Sequence, residues 1–213
     1  MKCDRNTMLL YAITDRAWTG KQSLAEQVES ALKGGATCVQ LREKELSDAE
    51  FLASAIELSA LCKRYGVPFF VNDNVEIAIE CGADGVHVGQ DDMAVAQVRR
   101  RVGDAMLIGV SAHSVEEARD AVENGADCLG VGALFATNTK QGANVLPKEV
   151  LRDICAAVNV PVVAIGGIKK TNIAQLVGAG VAGVAVVSAI FGADDIESET
   201  RLLRQLSEEM VNA

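Results

Sequence analysis

The sequence predicts a single-domain (β/α)8 TIM barrel over residues 1–213. Short apolar runs alternate with longer amphipathic runs along the whole chain, and eight such pairs can be counted. The short runs are almost continuously Val, Ile and Leu, which is typical of parallel strands covered on both faces. Eight strand–helix units in a chain of this length favour a closed barrel over an open doubly wound sheet.

Each apolar run is predicted to be a strand of the barrel, and a helix is expected after every one. The eight runs are MLLYAIT (8–14), TCVQLRE (37–43), PFFVND (68–73), DGVHVG (84–89), MLIGVSA (106–112), DCLGVG (127–132), VPVVAIG (160–166) and AGVAVVS (182–188).

The intervening runs carry the spacing of amphipathic helices. In 23–34, 47–66 and 114–125, apolar residues recur at i, i+3, i+4 and i+7, with charges on the opposite face. A weak repeat supports this order: a helix closes on glycine and a strand begins a few residues later. It is seen in LKGGATCVQL, ECGADGVHVG, ENGADCLGVG and GAGVAGVAVV.

Composition excludes several classes of function. The formal net charge of −9 and the pI near 4.8 oppose general binding to nucleic acid or to anionic membranes. The N-terminal apolar stretch is too short for a signal peptide or a membrane span, so a cytoplasmic protein is expected. Six cysteines without C-x-x-C spacing are expected to be buried structural thiols.

Two carboxylates close neighbouring strands of the predicted barrel. Asp73 follows the third strand and Asp92 follows the fourth, so both should reach the rim where the active sites of such barrels lie. They could be a general acid and base, ligands of a hard cation, or ordinary loop caps. Arg42, Lys44 and Lys140 on the same rim favour a magnesium ion that bridges to substrate phosphates.

A second anion site is predicted at the last two strands. IGGI (165–168) and VVSA (186–189) follow consecutive strands, where many barrels bind phosphate through backbone amides. Gly166 and Gly167 would allow an anion to approach the backbone, and Ser188 would add a hydroxyl. A phosphate site beside a metal-assisted one suggests an enzyme that joins two phosphorylated molecules.

The histidines give weaker signals. His87 lies within the fourth strand, where a satisfied interior or interface histidine is expected more often than a catalytic one. His113 lies near the rim and receives no role. The Walker A and Gly-x-Ser-x-Gly motifs do not occur.

Taken together, the motifs resemble those of the thiamine phosphate synthase family over essentially the whole chain. The resemblance rests on YAITD (11–15), QLREK (40–44), VNDNVEIA (71–78), ADGVHVGQDD (83–92), GVSAH (109–113), TNTK (137–140), IGGI (165–168) and VAVVSAI (184–190). It implies a Mg²⁺-dependent transferase that joins hydroxymethylpyrimidine diphosphate to a thiazole phosphate and releases pyrophosphate.

The resemblance also implies which residues do this. Arg42, Lys44, Ser111 and Lys140 are the expected catalytic residues, and Asp73 and Asp92 would bind Mg²⁺. The pyrimidine diphosphate would be held by Gln40, Leu41, Arg42, Glu43, Lys44, Asn72, Ser111 and Lys140. The thiazole phosphate would be held by Thr137, Asn138, Thr139, Gly167, Val187 and Ser188.

Two other functions are weighed against this one. A barrel isomerase, such as a tautomerase of the same thiazole phosphate, would share the second anion site but would not need QLREK with paired aspartates. A catalytically silent binding barrel would not need an intact rim of cations and carboxylates. A homo-oligomer is compatible with the sequence, which does not itself indicate an oligomeric state.

Overall fold

The computed structural model describes residues 3–20, 22–137, 139 and 144–213, and it confirms the (β/α)8 barrel. Eight parallel strands close in chain order, and the last pairs with the first. The strands are β1 (Leu10–Ile13), β2 (Cys38–Leu41), β3 (Phe69–Asn72), β4 (Gly85–Val88), β5 (Leu107–Ala112), β6 (Cys128–Val131), β7 (Val162–Ile165) and β8 (Gly183–Val186).

Alternate residues of each strand face opposite sides of the barrel wall. Tyr11 and Ile13 of β1 belong to an inner cluster, whereas Leu10 and Ala12 pack with the surrounding helices. The inner side of β4 begins at Gly85, where an added Cβ would lie 2.3 Å from the Phe70 ring of β3. Small residues therefore leave space for large aromatic side chains inside the barrel.

The helices form the outer layer. They are α1 (Leu24–Lys33), α2 (Asp48–Tyr65), α3 (Val75–Glu80), α4 (Val95–Val102), α5 (Val115–Glu123), α6 (Lys148–Ala157), α7 (Ser188–Phe191) and α8 (Ile196–Asn212). Ser23 and Ser47 start α1 and α2 with complete capping boxes, which satisfy otherwise unpaired backbone amides.

The expectation of an α-helix after every strand is wrong at β7. Only a one-turn 3-10 helix, Ile173–Leu176, lies between β7 and β8. Gly178 and Gly180 follow it with φ of 71° and 85°, in the left-handed region that ends a helix. The chain therefore turns into β8 before a longer helix can form.

The cysteine prediction is only partly confirmed. All six thiols are free; Cys38, Cys62 and Cys128 are buried, whereas Cys3, Cys81 and Cys155 are partly exposed. Burial raises the pKa of Cys62 to about 12 and that of Cys155 to about 11.

Within residues 3–20, 22–137, 139 and 144–213, no helix combines the length and the apolar character needed to cross a bilayer.

Candidate active site

A cavity of about 650 Å³ opens at the carboxyl ends of the strands, and we call it the mouth of the barrel. The structure brings most of the predicted site residues together here. Those lining the mouth are Gln40, Arg42, Lys44, Asn72, Asp73, Asp92, Ser111, Thr137, Thr139, Gly167, Val187 and Ser188. Asn138 and Lys140 lie outside the described residues.

Leu41 and Glu43 are not part of the mouth's lining. Leu41 is fully buried and packs into the cluster between strands and helices, as the alternation along β2 requires. Glu43 turns towards the loop after β1, where its Oε1 lies 2.7 Å from Nε of Arg16.

The floor of the mouth is a polar layer inside the barrel. Gln40 donates a hydrogen bond from Nε2 to the Tyr11 hydroxyl at 2.9 Å, and His87 Nε2 lies 3.1 Å from Ser111 Oγ. Burial raises the pKa of the Tyr11 hydroxyl well above its ordinary value, so it stays protonated. These four side chains can orient a small polar ring placed above them.

Glycines in the neighbouring strands leave space inside the barrel for the His87 ring. An added Cβ at Gly109 of β5 would lie 2.4 Å from His87 Nδ1, and one at Gly130 of β6 would lie 3.3 Å from its Cε1. The expected interior position of His87 is confirmed, since 8% of the residue is exposed. Its contact with Ser111 also places it in the site, although sequence reasoning gave it no role there.

The two predicted carboxylates face each other across the ends of β3 and β4. Asp73 adopts a φ of 63°, a left-handed conformation that Asp tolerates better than most residues, and its amide donates to the His87 carbonyl at 2.8 Å. Asp92 Oδ2 accepts a hydrogen bond from the Gly89 amide at 2.7 Å. Both backbone contacts tie the carboxylates to the end of β4.

Burial and a neighbouring negative charge act together on Asp73. Burial raises the pKa of its carboxyl, Lys44 opposes this through a 2.6 Å hydrogen bond, and the nearby Asp92 carboxyl raises the pKa again. Two carboxyl groups this close repel each other unless a cation or a proton lies between them. The pair is therefore suited to share a positive charge.

Arg42 and Lys44 bring positive charge to the same side of the mouth. The Arg42 amide donates to Thr14 Oγ1 at 3.1 Å, and its Nη1 lies 3.8 Å from Asp15 Oδ2. Lys44 is the more exposed of the two, with 53% of its side chain accessible. Both can reach an anion that enters from solvent.

The opposite side of the mouth is built by the loops after β6, β7 and β8. The Phe135 amide donates to the Gly166 carbonyl at 3.0 Å, and Asn172 Nδ2 donates to the Gly167 carbonyl at 2.9 Å. Gly167 has a φ of 65°, and an added Cβ would lie 2.5 Å from the Ala136 carbonyl oxygen. Only glycine fits this packing, which brings the neighbouring Thr137 into the mouth.

Sequence reasoning also missed Tyr11 and Gln90. Tyr11 is one of the inward residues of β1, which the alternation of that strand could have identified once its register was known. Gln90 Nε2 donates to the Ser111 carbonyl at 2.7 Å, a contact between separate loops that no local pattern indicates. His113 lines the rim, and its Nδ1 lies 3.0 Å from Glu117 Oε2.

Comparison with known proteins gives a consistent result. The family model described as "Thiamine monophosphate synthase" matches residues 10–190. A thiamine-phosphate synthase of Chloroflexus aurantiacus is 49% identical over 198 residues, which cover 92% of this chain and 91% of the relative. One from Pyrococcus abyssi is 43% identical and covers 97% of this chain and 98% of its own length.

Solved structures give the same picture. The thiamine phosphate pyrophosphorylase from Pyrococcus furiosus superposes with a TM-score of 0.89 at 40% identity, covering 97% of this chain and 98% of the other. A "Native KDPGal structure", at a TM-score of 0.73 and 19% identity, shares the fold alone.

Proposed function

The chain belongs to the thiamine monophosphate synthase family, and from this premise we propose how the mouth of its barrel makes thiamine phosphate. Its activity is that of a thiamine-phosphate synthase, a transferase of thiamine biosynthesis that acts on small molecules. The substrates we propose are hydroxymethylpyrimidine diphosphate and a thiazole phosphate, with pyrophosphate as the leaving group.

The pyrimidine diphosphate occupies the side of the mouth built by β2 to β5. Its ring lies on the polar floor near Gln40 and Ser111, and Asn72 borders the same space. Its diphosphate meets Arg42, Lys44 and Lys140. Their positive charges offset the negative charge that the acidic chain would otherwise present to this substrate. This placement is supported by the lining of a single cavity, which includes Gln40, Arg42, Lys44, Asn72 and Ser111.

The donor set at the ends of β3 and β4 fits Mg²⁺. Over residues 3–20, 22–137, 139 and 144–213, no group of three or more His, Cys, Asp or Glu side chains is placed to hold a metal ion, so the protein would supply at most two such ligands there. Mg²⁺ is commonly held by one or two carboxylates together with waters and substrate phosphates. Asp73 and Asp92 would hold it, and when bound it would add positive charge next to the leaving diphosphate.

The thiazole phosphate occupies the other side of the mouth. Its phosphate lies against Gly167, Val187 and Ser188, and Thr137, Asn138 and Thr139 would also hold it. The close packing of Gly167 against the loop after β6 supports a single preformed anion site shared by the three loops.

The chemistry required of the protein is positioning and charge stabilisation. The thiazole nitrogen is itself the nucleophile, and the pyrimidine methylene loses its diphosphate. Arg42, Lys44 and Lys140 stabilise charge that grows on the diphosphate as its bond breaks. Ser111 and Gln40 hold the pyrimidine ring so that the methylene faces the thiazole nitrogen.

One observation carries this proposal: the paired carboxylates with their cations and the glycine-rich anion loop border the same cavity. The test is to mix the protein with both substrates and Mg²⁺ and to measure thiamine phosphate and pyrophosphate. We expect equal amounts of the two products, and none when Mg²⁺ is chelated. A protein that altered the thiazole phosphate alone and released no pyrophosphate would contradict the proposal.

The cytoplasmic location and a homo-oligomeric state stay predictions.

A further inference from the structure

The loop that carries Arg42 and Lys44 contains an acidic side chain that faces away from the mouth. Only 3% of the Glu43 side chain is exposed, and its carboxylate is bonded to Arg16 at 2.7 Å. Arg16 Nη2 also donates to Ser54 Oγ of α2 at 3.0 Å. A carboxylate would repel a diphosphate, so this orientation removes an unfavourable charge from the anion site.

The end of β2 and the start of the same loop contact the residues just after β1 at three further points. The Thr14 amide donates to the Gln40 carbonyl at 2.9 Å, and Thr14 Oγ1 accepts from the Arg42 amide at 3.1 Å. Asp15 lies 3.8 Å from the Arg42 guanidinium. Residues 14–16 thus contact residues 40–43 one after another, and the ion pair with Glu43 ends the series.

We propose that Arg16 is a positioning residue for the pyrimidine diphosphate. Through Glu43 it fixes the loop between β2 and α2, and thereby holds Arg42 and Lys44, on either side of Glu43, at the mouth. Removing Arg16 leaves a buried carboxylate without its cation, and such a charge is costly enough to make the loop rearrange. This inference rests on the function proposed above, because it assumes that the diphosphate binds to this loop.

The first test compares Arg16→Met with Arg201→Met. Arg201 pairs with Glu197 at 2.6 Å on the exposed surface of α8, and neither residue lines the mouth, so its loss removes an ion pair of similar length outside the site. For Arg16→Met we expect kcat/KM for the pyrimidine diphosphate to fall about tenfold or more, since small displacements of binding groups have effects of this size. KM for the thiazole phosphate should stay unchanged, and Arg201→Met should match the wild type in both constants.

The second test asks whether Arg16 acts through Glu43. Arg16→Met and Glu43→Gln should be strongly non-additive, so that the double variant is no worse than Arg16→Met alone. Arg16→Lys, which keeps the charge, should recover much of the lost activity. Additive losses, or a Lys variant as poor as the Met variant, would mean that Arg16 does not work through this pair and would overturn the proposal.

Two controls keep the tests decisive. If Arg16→Met does not fold, Arg16→Lys and Glu43→Gln, singly and combined, provide the same comparison. Calorimetric titration with inorganic pyrophosphate measures binding without turnover, and we expect about tenfold weaker binding in Arg16→Met. If the wild type is active and Arg16→Met is unimpaired, the positioning role of Arg16 is refuted while the proposed function stands. If the wild type is inactive, the proposed function is refuted.

Discussion

Replacing Gly167 with alanine should damage one half of the mouth selectively. Gly167 has a φ of 65°, and the added Cβ would lie 2.5 Å from the Ala136 carbonyl oxygen and 2.7 Å from that of Phe135. The loop after β6 must therefore move away, and Thr137 moves with it. We expect weaker binding of the thiazole phosphate and little change in binding of the pyrimidine diphosphate.

Gly66 offers a matched control for the backbone part of this effect. It has a φ of 66° at the end of α2, and an added Cβ would meet nothing within 4 Å. Gly66→Ala should cost about 1–2 kcal/mol of unfolding free energy from the left-handed conformation alone. Gly167→Ala should cost that amount and about 1–3 kcal/mol more from overpacking.

The binding effect follows from the contacts that the displaced loop would lose. A hydrogen bond to a charged group contributes about 1.5–3 kcal/mol, so losing one should raise the Kd for the thiazole phosphate about ten- to a hundredfold. Isothermal titration calorimetry with each substrate separately measures both affinities, and urea unfolding measures stability. If Gly167→Ala behaved like Gly66→Ala in both assays, or weakened both substrates equally, the assigned contact would be wrong.

Three further predictions concern other parts of the molecule. Asp73→Asn and Asp92→Asn should each lower kcat by about two orders of magnitude without loss of folding, and full activity in limiting Mg²⁺ would exclude that residue as a ligand. Burial raises the pKa of the Glu43 carboxyl although Arg16 opposes this, so the folded state favours the protonated form. The free energy of unfolding therefore falls as pH rises through that pKa and Glu43 ionises. Urea unfolding should therefore show the stability deficit of Arg16→Met shrinking from neutral pH towards the ordinary Glu value of about 4.3, and a constant deficit would contradict it. Cys62, with a pKa of about 12, should resist iodoacetamide at pH 8 until the protein unfolds, and mass spectrometry would detect early labelling that contradicts this.

The sequence was sufficient to predict the barrel and to predict that the polar residues following its strands lie together at one rim. Strand order and alternation depend on local patterns, and parallel strands deliver their carboxyl ends to one rim whatever the details of the loops. Asp73 and Asp92 follow neighbouring strands, so their proximity required only the correct topology. The same argument placed Gly167 and Ser188 together at the last two strands.

Contacts between separate loops were beyond the reach of sequence patterns. The pairing of Glu43 with Arg16 depends on how two rim loops fold over each other, and neither residue has a local signal for it. His87 was correctly assigned to the interior, but its contact with Ser111 depends on the space left by Gly109 and Gly130 on other strands. The absence of an α-helix between β7 and β8 reflects the left-handed conformations of Gly178 and Gly180, which the sequence pattern alone does not determine.

The most direct test of the central claim uses Mn²⁺ in place of Mg²⁺ together with pyrophosphate and the thiazole phosphate. The claim is that Asp73 and Asp92 hold the metal against the diphosphate, while the second phosphate lies at Gly167 and Ser188 in the same cavity. Because Mn²⁺ also binds pyrophosphate in free solution, the informative signal is that of the thiazole phosphate. Its Mn²⁺-induced ³¹P relaxation should be measurable when pyrophosphate is present and lost in the Asp73→Asn/Asp92→Asn double variant. Unchanged relaxation in the double variant, or no effect on the thiazole phosphate when it is bound, would contradict the account.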